Sequence, residues 1–152
     1  MGYEKYSVLI IEDDRTYRKL MRRIIEERIG ARCMEASNPI EAFHLFAEGL
    51  PDLIVMDLLL PEMNGVTAVE RLRSLEVTKN IPIAVCSSVT ERHLIMQLAK
   101  LGIKDFLLKP LQSALVVDKI KELLPKVVED TPAAQEKPAQ SDSKNVEEDI
   151  WV

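Results

Sequence analysis

The chain has 152 residues, of which 47% are apolar and 30% charged, a composition typical of a soluble globular protein with one ordinary domain. Residues 1–126 hold 18 basic and 18 acidic residues, so the formal net charge of −5 comes entirely from residues 127–152. A neutral body argues against nucleic acid as the main partner. The sequence also lacks an apolar run of about 18 residues that would span a membrane. With no signal-peptide pattern at the N-terminus, we expect a cytoplasmic protein.

Short apolar runs alternate with longer amphipathic segments through the first 126 residues. In chain order, we predict strand and helix pairs over Ser7–Ile11 and Arg15–Ile29, Ala31–Glu35 and Pro39–Gly49, Leu53–Met56 and Val66–Ser74, Ile83–Cys86 and Glu91–Leu101 (or from Thr90), and Phe106–Leu108 and Ser113–Leu124. Near-continuous apolar strands indicate a parallel sheet covered on both faces. Right-handed crossovers then make the fold an α/β, doubly wound (βα)5 sandwich.

The composition changes near residue 127. We predict one folded domain over 1–126 and a disordered tail or linker over 127–152, which is acidic and rich in Pro, Ala, Gln and Ser. The chain ends in NVEEDIWV, which contains the single tryptophan, Trp151. This end is a recognition segment, the start of a further domain or a loose terminus, and the sequence leaves these readings open.

Polar residues follow four of the predicted strands. Glu12 and Asp13 follow the first strand, Asp57 the third, Ser87 the fourth and Lys109 the fifth. Ligands of open parallel sheets bind at the carboxyl ends of the strands. Neighbouring carboxylates need a cation, and an oxygen-only ligand set suits Mg²⁺. With a hydroxyl and an ammonium group, such a site can hold a phosphoryl group. The alternative is that the acids cap helices and Lys109 pairs with one of them.

Four motifs carry a resemblance to a known family: VLIIEDD, PDLIVMDLLLPEMNG, IPIAVCSS and DFLLKP. From about Ser7 to Leu124, the chain resembles the receiver domain of two-component response regulators, including the chemotaxis regulators. The resemblance implies a flavodoxin-like sheet with strand order 2-1-3-4-5. It also implies that Asp57 accepts a phosphoryl group from a phosphohistidine on a sensor histidine kinase or phosphotransfer protein. Mg²⁺ (or Mn²⁺) would be held by Glu12, Asp13, Asp57 and the backbone carbonyl of Leu59.

The same resemblance implies a switch at the end of the sheet. Ser87 matches the hydroxyl that moves to the phosphoryl group, and Lys109 matches the lysine that contacts it. Phe106 matches the aromatic residue that turns inward, and Pro110 would follow a cis peptide bond. The chain departs from the common pattern in having Glu12 rather than Asp, Ser87 rather than Thr, and a Phe106 without a hydroxyl group.

Two apolar residues occupy positions that flank the phosphoryl group in this family. Because Leu59 and Val89 cannot orient an attacking water, we predict slow self-dephosphorylation. The protein is then a signalling domain and not an enzyme. Its output surface would comprise the fourth helix, the fifth strand and the fifth helix. This surface would contact a downstream protein, an output domain or a second copy of the chain, with no nucleic acid bound and no membrane insertion.

Three alternative functions differ from this prediction. An aspartate-nucleophile phosphohydrolase usually has a second acid two residues after the first, and here Asp57 is followed by Leu58 and Leu59. In a flavodoxin-like cofactor binder, the acidic EDDRT loop would repel an anionic cofactor. The third alternative keeps the receiver fold as an interaction module that works without phosphorylation.

Two further features have simple expected roles. Cys33 and Cys86 lie on the second and fourth strands, which are too far apart for a disulfide, so we expect buried thiols. The first helix carries a group of basic residues, which form a solvated face or a docking surface for an acidic patch of a kinase: Arg15, Arg18, Lys19, Arg22 and Arg23.

Overall fold

Strands and helices alternate through residues 2–88 and 92–125, which are the residues described by the computed structural model. The strands are β1 (Ser7–Ile11), β2 (Arg32–Ala36), β3 (Leu53–Asp57), β4 (Ile83–Ser87) and β5 (Asp105–Leu108). The helices are α1 (Arg15–Ile24), α2 (Pro39–Leu45), α3 (Gly65–Ser74), α4 (Arg92–Lys100) and α5 (Ser113–Leu123). A π-helical turn over Ile25–Ile29 continues α1, and a 3₁₀ turn over Phe46–Glu48 continues α2.

The strands form one parallel sheet with the order β2-β1-β3-β4-β5. This order confirms the predicted doubly wound fold. The register places Asp57 opposite Cys86 and Ser87 opposite Leu108. Beyond β1, the Glu12 amide continues the ladder by donating to the Ala36 carbonyl at 3.0 Å. The carboxyl ends of the strands therefore meet along one edge of the sheet.

The apolar residues of each strand divide between two core clusters, one on each face of the sheet. Leu9 and Ile11 point to the face covered by α2, α3 and α4, whereas Val8 and Ile10 point to the face covered by α1 and α5. The helices contribute buried side chains to these two clusters: Ala42, Val69, Leu72 and Leu98 on one face, and Met21, Ile24, Val116 and Ile120 on the other. Burial on both faces explains why the strands are apolar at nearly every position.

The boundaries differ from the predicted ones in detail. The predicted first helix is α-helical only to Ile24, after which a wider turn keeps both Ile25 and Ile29 buried. Gly30 ends this segment with a φ of 89°, a left-handed conformation that glycine adopts without steric cost. Each strand limit either coincides with the predicted limit or differs from it by one residue. Val89, the start of the predicted fourth helix, and the tail over 127–152 with Trp151 lie outside the described residues.

The loop after β3 folds back tightly on itself. Gly65 donates its amide to the Leu58 carbonyl at 2.7 Å, and a Cβ atom at Gly65 would lie 2.8 Å from that same oxygen. Asn64 caps α3 by accepting a hydrogen bond from the Thr67 amide at 3.0 Å. A residue without a side chain is therefore required where α3 begins.

A half-buried arginine joins three segments at the other end of α3. The Arg73 guanidinium donates to the backbone carbonyls of Lys79 and Ile81, each at 3.0 Å, and of Leu101 at 3.3 Å. Burial lowers the pKa of Arg73 below its ordinary value. Arg73 therefore ties the end of α3 to the segment before β4 and to the end of α4.

The two cysteines are free, as the sequence predicted. Cys33 lies on β2 and Cys86 on β4, with β1 and β3 between them. Cys86 is buried and Cys33 is partly buried, and burial raises the pKa of each thiol to about 12. Among the described helices, none is both long enough and apolar enough to cross a membrane.

Candidate functional site

The three consecutive acids after β1 have different roles. Asp14 is the N-cap of α1, and its Oδ1 accepts a hydrogen bond from the Tyr17 amide at 3.1 Å. Glu12 is 5% exposed, and its Oε2 accepts from the Asp14 amide at 3.1 Å. Asp13 is exposed. The helix-capping alternative therefore holds for Asp14, whereas Glu12 and Asp13 are available to a ligand at the edge of the sheet.

Glu12 and Asp13 meet the last residue of β3. Asp57 is 9% exposed, and one carboxylate oxygen each from Glu12, Asp13 and Asp57 lie within 4.8 Å of one another. An all-oxygen donor set of this kind fits Mg²⁺, which binds through a few carboxylates and retains several waters. The backbone amide of Leu59 approaches Asp57 Oδ1 at 3.4 Å. The role of the Leu59 carbonyl as a further ligand stays a prediction.

Lys109 lies between two of these carboxylates. Its Nζ is 2.9 Å from Glu12 Oε1 and 3.3 Å from Asp57 Oδ2, with the side chain 11% exposed. The peptide bond between Lys109 and Pro110 is cis, as the resemblance implied. The lysine therefore pairs with two acids rather than with one.

The balance of charge at this cluster favours a further cation. Burial lowers the pKa of Lys109, but Glu12 and Asp57 outweigh this effect and hold the pKa above its ordinary value. Burial raises the pKa of Glu12, although the hydrogen bond from Lys109 opposes this shift. Together with Asp13, the two acids contribute three carboxylates against one ammonium group.

Ser87 and Phe106 lie beside this cluster on β4 and β5. Ser87 is 6% exposed, and its carbonyl accepts the Lys109 amide at 3.0 Å. Phe106 is opposite Val85 in the sheet and is partly buried against the core on the α2–α4 face. The Leu59 side chain is 52% exposed. The switching role of Ser87 and Phe106 and the influence of Leu59 stay predictions.

An open cavity of about 360 Å³ lies over the cluster and is lined by Glu12, Asp13, Asp14, Tyr17, Asp57, Ser88, Lys109 and Pro110. Tyr17 was assigned no role from the sequence, and the structure places it in the lining of this cavity. The Lys109 Nζ lies 4.2 Å from the centroid of the Tyr17 ring, a distance typical of a cation–π contact. The sequence does indicate this position in one respect. Tyr17 lies in the first turn of α1, which begins directly after the end of β1.

The basic face of α1 is partly engaged within the domain. Arg18, Lys19 and Arg22 all contact Glu35 of β2, a residue to which the sequence analysis assigned no role. Partial burial would raise the pKa of Glu35, but hydrogen bonds from Arg22, Arg18 and Lys19 lower it to about 2. Lys19 and Arg22 still keep 51% and 39% of their side chains exposed, so the choice between a solvated face and a docking surface stays a prediction. Arg15 remains exposed.

Comparison with known proteins gives the same family that the motifs suggested. Residues 8–121 match the family model of the response regulator receiver domain. Chemotaxis protein CheY of Thermotoga maritima is 33% identical over 116 residues, which cover 76% of this chain and 95% of CheY. The phosphate regulon transcriptional regulatory protein PhoB of Pseudomonas aeruginosa is 30% identical over 118 residues, or 78% of this chain and 51% of PhoB.

A solved structure supports the match at the level of the fold. The signal receiver domain of a signal transduction histidine kinase from Syntrophus aciditrophicus superimposes with a TM-score of 0.72 at 26% identity, covering 90% of this chain and 96% of that domain. Both the matched family model and the strand order agree with the motifs at the strand ends. The chain therefore belongs to the family of response regulator receiver domains.

Proposed function

We propose that this chain is the phosphoacceptor receiver of a two-component phosphorelay and that Asp57 accepts the phosphoryl group. The observation that carries the proposal is the position of Lys109 Nζ between Glu12 and Asp57, at 2.9 and 3.3 Å, beside the exposed Asp13. Receiver domains are signalling domains rather than enzymes.

The residues of the cluster would divide the chemistry of transfer among them. A carboxylate oxygen of Asp57 attacks the phosphorus of a phosphohistidine. A P–O bond forms as the P–N bond breaks, and the imidazole leaves with the electron pair. Lys109 is placed to balance the negative charge of the phosphoryl oxygens. Mg²⁺ (or Mn²⁺), when bound by Glu12, Asp13, Asp57 and the Leu59 carbonyl, would neutralise more of that charge.

Ser87 at the end of β4 and Phe106 on β5 would couple phosphorylation of Asp57 to a change at an output surface. Once Asp57 carries the phosphoryl group, Ser87 and Lys109 would move to it and Phe106 would turn inward, which shifts a two-state equilibrium. The surface formed by α4, β5 and α5 exposes three large apolar side chains, Met96, Leu108 and Leu115, at 58%, 61% and 55%. This exposure supports a protein contact there, with a downstream protein, an output domain or a second copy of the chain.

The remaining partners follow from the same proposal. The phosphoryl donor would be a sensor histidine kinase or a phosphotransfer protein, and the domain would act in the cytoplasm. The domain itself would bind no nucleic acid and would not insert into a membrane.

Intact mass spectrometry tests the proposed acceptor. After incubation with acetyl phosphate and Mg²⁺, we expect the full chain to gain one phosphoryl group. The adduct should disappear in Asp57→Asn and persist in Asp118→Asn, a matched change of an exposed acid on α5. An adduct that persists in Asp57→Asn contradicts the assignment. A wild-type chain without an adduct favours the module that works without phosphorylation, and rapid consumption of acetyl phosphate favours a phosphohydrolase.

The apolar positions near the acceptor support slow loss of the phosphoryl group. An apolar side chain such as that of Leu59 cannot orient an attacking water, and Val89 is expected to act in the same way. Loss of the adduct should therefore be faster in Leu59→Asn/Val89→Glu than in the wild type. Leu115→Asn, a matched change of an exposed leucine on α5, should leave the rate unchanged. Equal rates in the wild type and the double variant would contradict the prediction.

A further inference from the structure

The acidic residue at the end of β1 is held from several sides. The Glu12 amide donates to the Ala36 carbonyl at 3.0 Å, and the carboxylate accepts from Lys109 and from the Asp14 amide. The remaining polar group of the residue, its backbone carbonyl, accepts a hydrogen bond from Arg18 Nη1 at 2.8 Å. The contacts to β2 and to Arg18 hold the backbone of Glu12 on both sides.

The Arg18 side chain that contacts Glu12 is itself held in place by Glu35. Its Nε donates to Glu35 Oε1 at 2.9 Å, and the side chains of Arg18 and Glu35 are only 16% and 13% exposed. A planar guanidinium that donates in two directions orders both acceptors at once, which a lysine ammonium on a flexible stem does less well. The same side chain therefore connects β2, α1 and the end of β1.

We propose that Arg18 is a positioning residue for the acidic cluster: by joining Glu35 to the Glu12 carbonyl, it fixes the end of β1 so that Glu12 and Asp13 bind one cation together with Asp57. This inference rests on the proposed metal site. Groups that orient metal ligands through hydrogen bonds, without contacting the metal, are important for affinity. Their removal typically weakens metal binding by about 10–100-fold.

The sign of the effect separates positioning from simple charge. Arg18 is a cation near an acidic cluster, so long-range electrostatics alone predicts that its removal tightens the binding of a divalent cation. Loss of positioning predicts the opposite result, weaker binding. Arg22 provides a matched control because it also pairs with Glu35, while its second acceptor within residues 2–88 and 92–125 is Glu26 of the π-helical turn.

The test is the Mg²⁺ affinity of the full chain, measured by calorimetry without any phosphodonor. We expect Arg18→Met to bind Mg²⁺ about 10-fold more weakly than the wild type or worse, whereas Arg22→Met should bind it equally or more tightly. Arg18→Lys, which keeps the charge and is the variant to use if Arg18→Met does not fold, should also bind Mg²⁺ more weakly.

The possible results distinguish the proposed metal site from the positioning role of Arg18. A wild-type chain that does not bind Mg²⁺ overturns the metal site and this inference together. Wild-type binding that is unchanged or tighter in both Arg18 variants overturns the inference and leaves the metal site standing. An equal loss in Arg18→Met and Arg22→Met would assign the effect to the general stability of the Glu35 cluster, and this result also overturns the inference.

Discussion

Replacing Glu35 by glutamine should lower the free energy of unfolding at neutral pH by about 1–2 kcal/mol, the discounted strength of a partly exposed ion-pair network. Glu35 accepts hydrogen bonds from Arg18, Lys19 and Arg22. These cations lower the pKa of its carboxyl from 4.5 to about 2 in the folded protein. The neutral amide of glutamine would take this charged partner from Arg18 and Lys19, and would leave Arg22 paired with Glu26.

The magnitude follows from the shift in pKa. A decrease in the pKa from 4.5 to about 2 corresponds to roughly 3 kcal/mol, at about 1.36 kcal/mol for each pKa unit. The side chains of Lys19 and Arg22 are 51% and 39% exposed, so solvent screens much of the attraction and the smaller figure applies.

The direction with pH is fixed by linkage. A carboxyl group whose pKa is lowered on folding stabilises the protein above its ordinary pKa, and this contribution disappears as the pH falls through the folded value. The difference in unfolding free energy between the wild type and Glu35→Gln should therefore be constant from pH 7 to pH 5. It should decrease between about pH 4.5 and pH 2.

Urea unfolding across this pH range measures the difference. Glu27→Gln is the control, because Glu27 pairs with Arg23 at 3.8 Å and both side chains are about 70% exposed. This control should change stability by less than about 0.5 kcal/mol at any pH. A Glu35→Gln effect that does not vary with pH, or that is no larger than the control, would refute the reasoning.

Three further predictions concern other parts of the structure. Gly65→Ala should lose about 1–3 kcal/mol of unfolding free energy, because its Cβ would lie 2.8 Å from the Leu58 carbonyl; wild-type stability in urea unfolding would contradict this. Arg73→Met should lose about 2–3 kcal/mol of unfolding free energy, because three backbone carbonyls lose their donor. The control Arg71→Met removes only an exposed cation–π contact and should cost less than about 1 kcal/mol. Mg²⁺ at ten times its Kd should stabilise the wild type by about 1.4 kcal/mol, and Asp13→Asn should lose most of this gain in a thermal melt; an equal gain in both proteins would contradict the ligand assignment.

The fold was largely predictable because the pattern of each strand follows from burial on both faces. Runs such as Leu53–Met56 are apolar at every position, as a central parallel strand requires. The width of the turn after Ile24 was not predictable. Apolar residues at Ile25 and Ile29 fit the spacing of an α-helix as well as that of the observed π-helical turn.

The site was predictable to the extent that it depends on topology. Parallel strands end at one edge, so Glu12, Asp13, Asp57 and Lys109 had to approach one another. Contacts between a helix and the sheet depend on the direction in which each side chain points. The spacing of residue types along one sequence does not predict that direction. For this reason, the position of Tyr17 against Lys109 was not anticipated.

The pairing of Arg18 with Glu35 was missed for a similar reason. Glu35 is one acid in a weakly apolar strand, and the sequence shows no relation between it and the basic residues of α1. The different roles of Glu12, Asp13 and Asp14 were missed as well. They depend on which of the three acids forms the N-cap of α1.

The two unreactive thiols make the domain convenient for site-specific labelling. Burial raises the pKa of both Cys33 and Cys86 to about 12, so both are held as thiols near neutral pH, and the thiolate is the form that reacts with maleimides and iodoacetamides. A cysteine introduced at an exposed position such as Leu108 or Leu115 would then be labelled selectively, without removal of the native thiols. A fluorophore there would report on β5 and α5 while Asp57 is being phosphorylated.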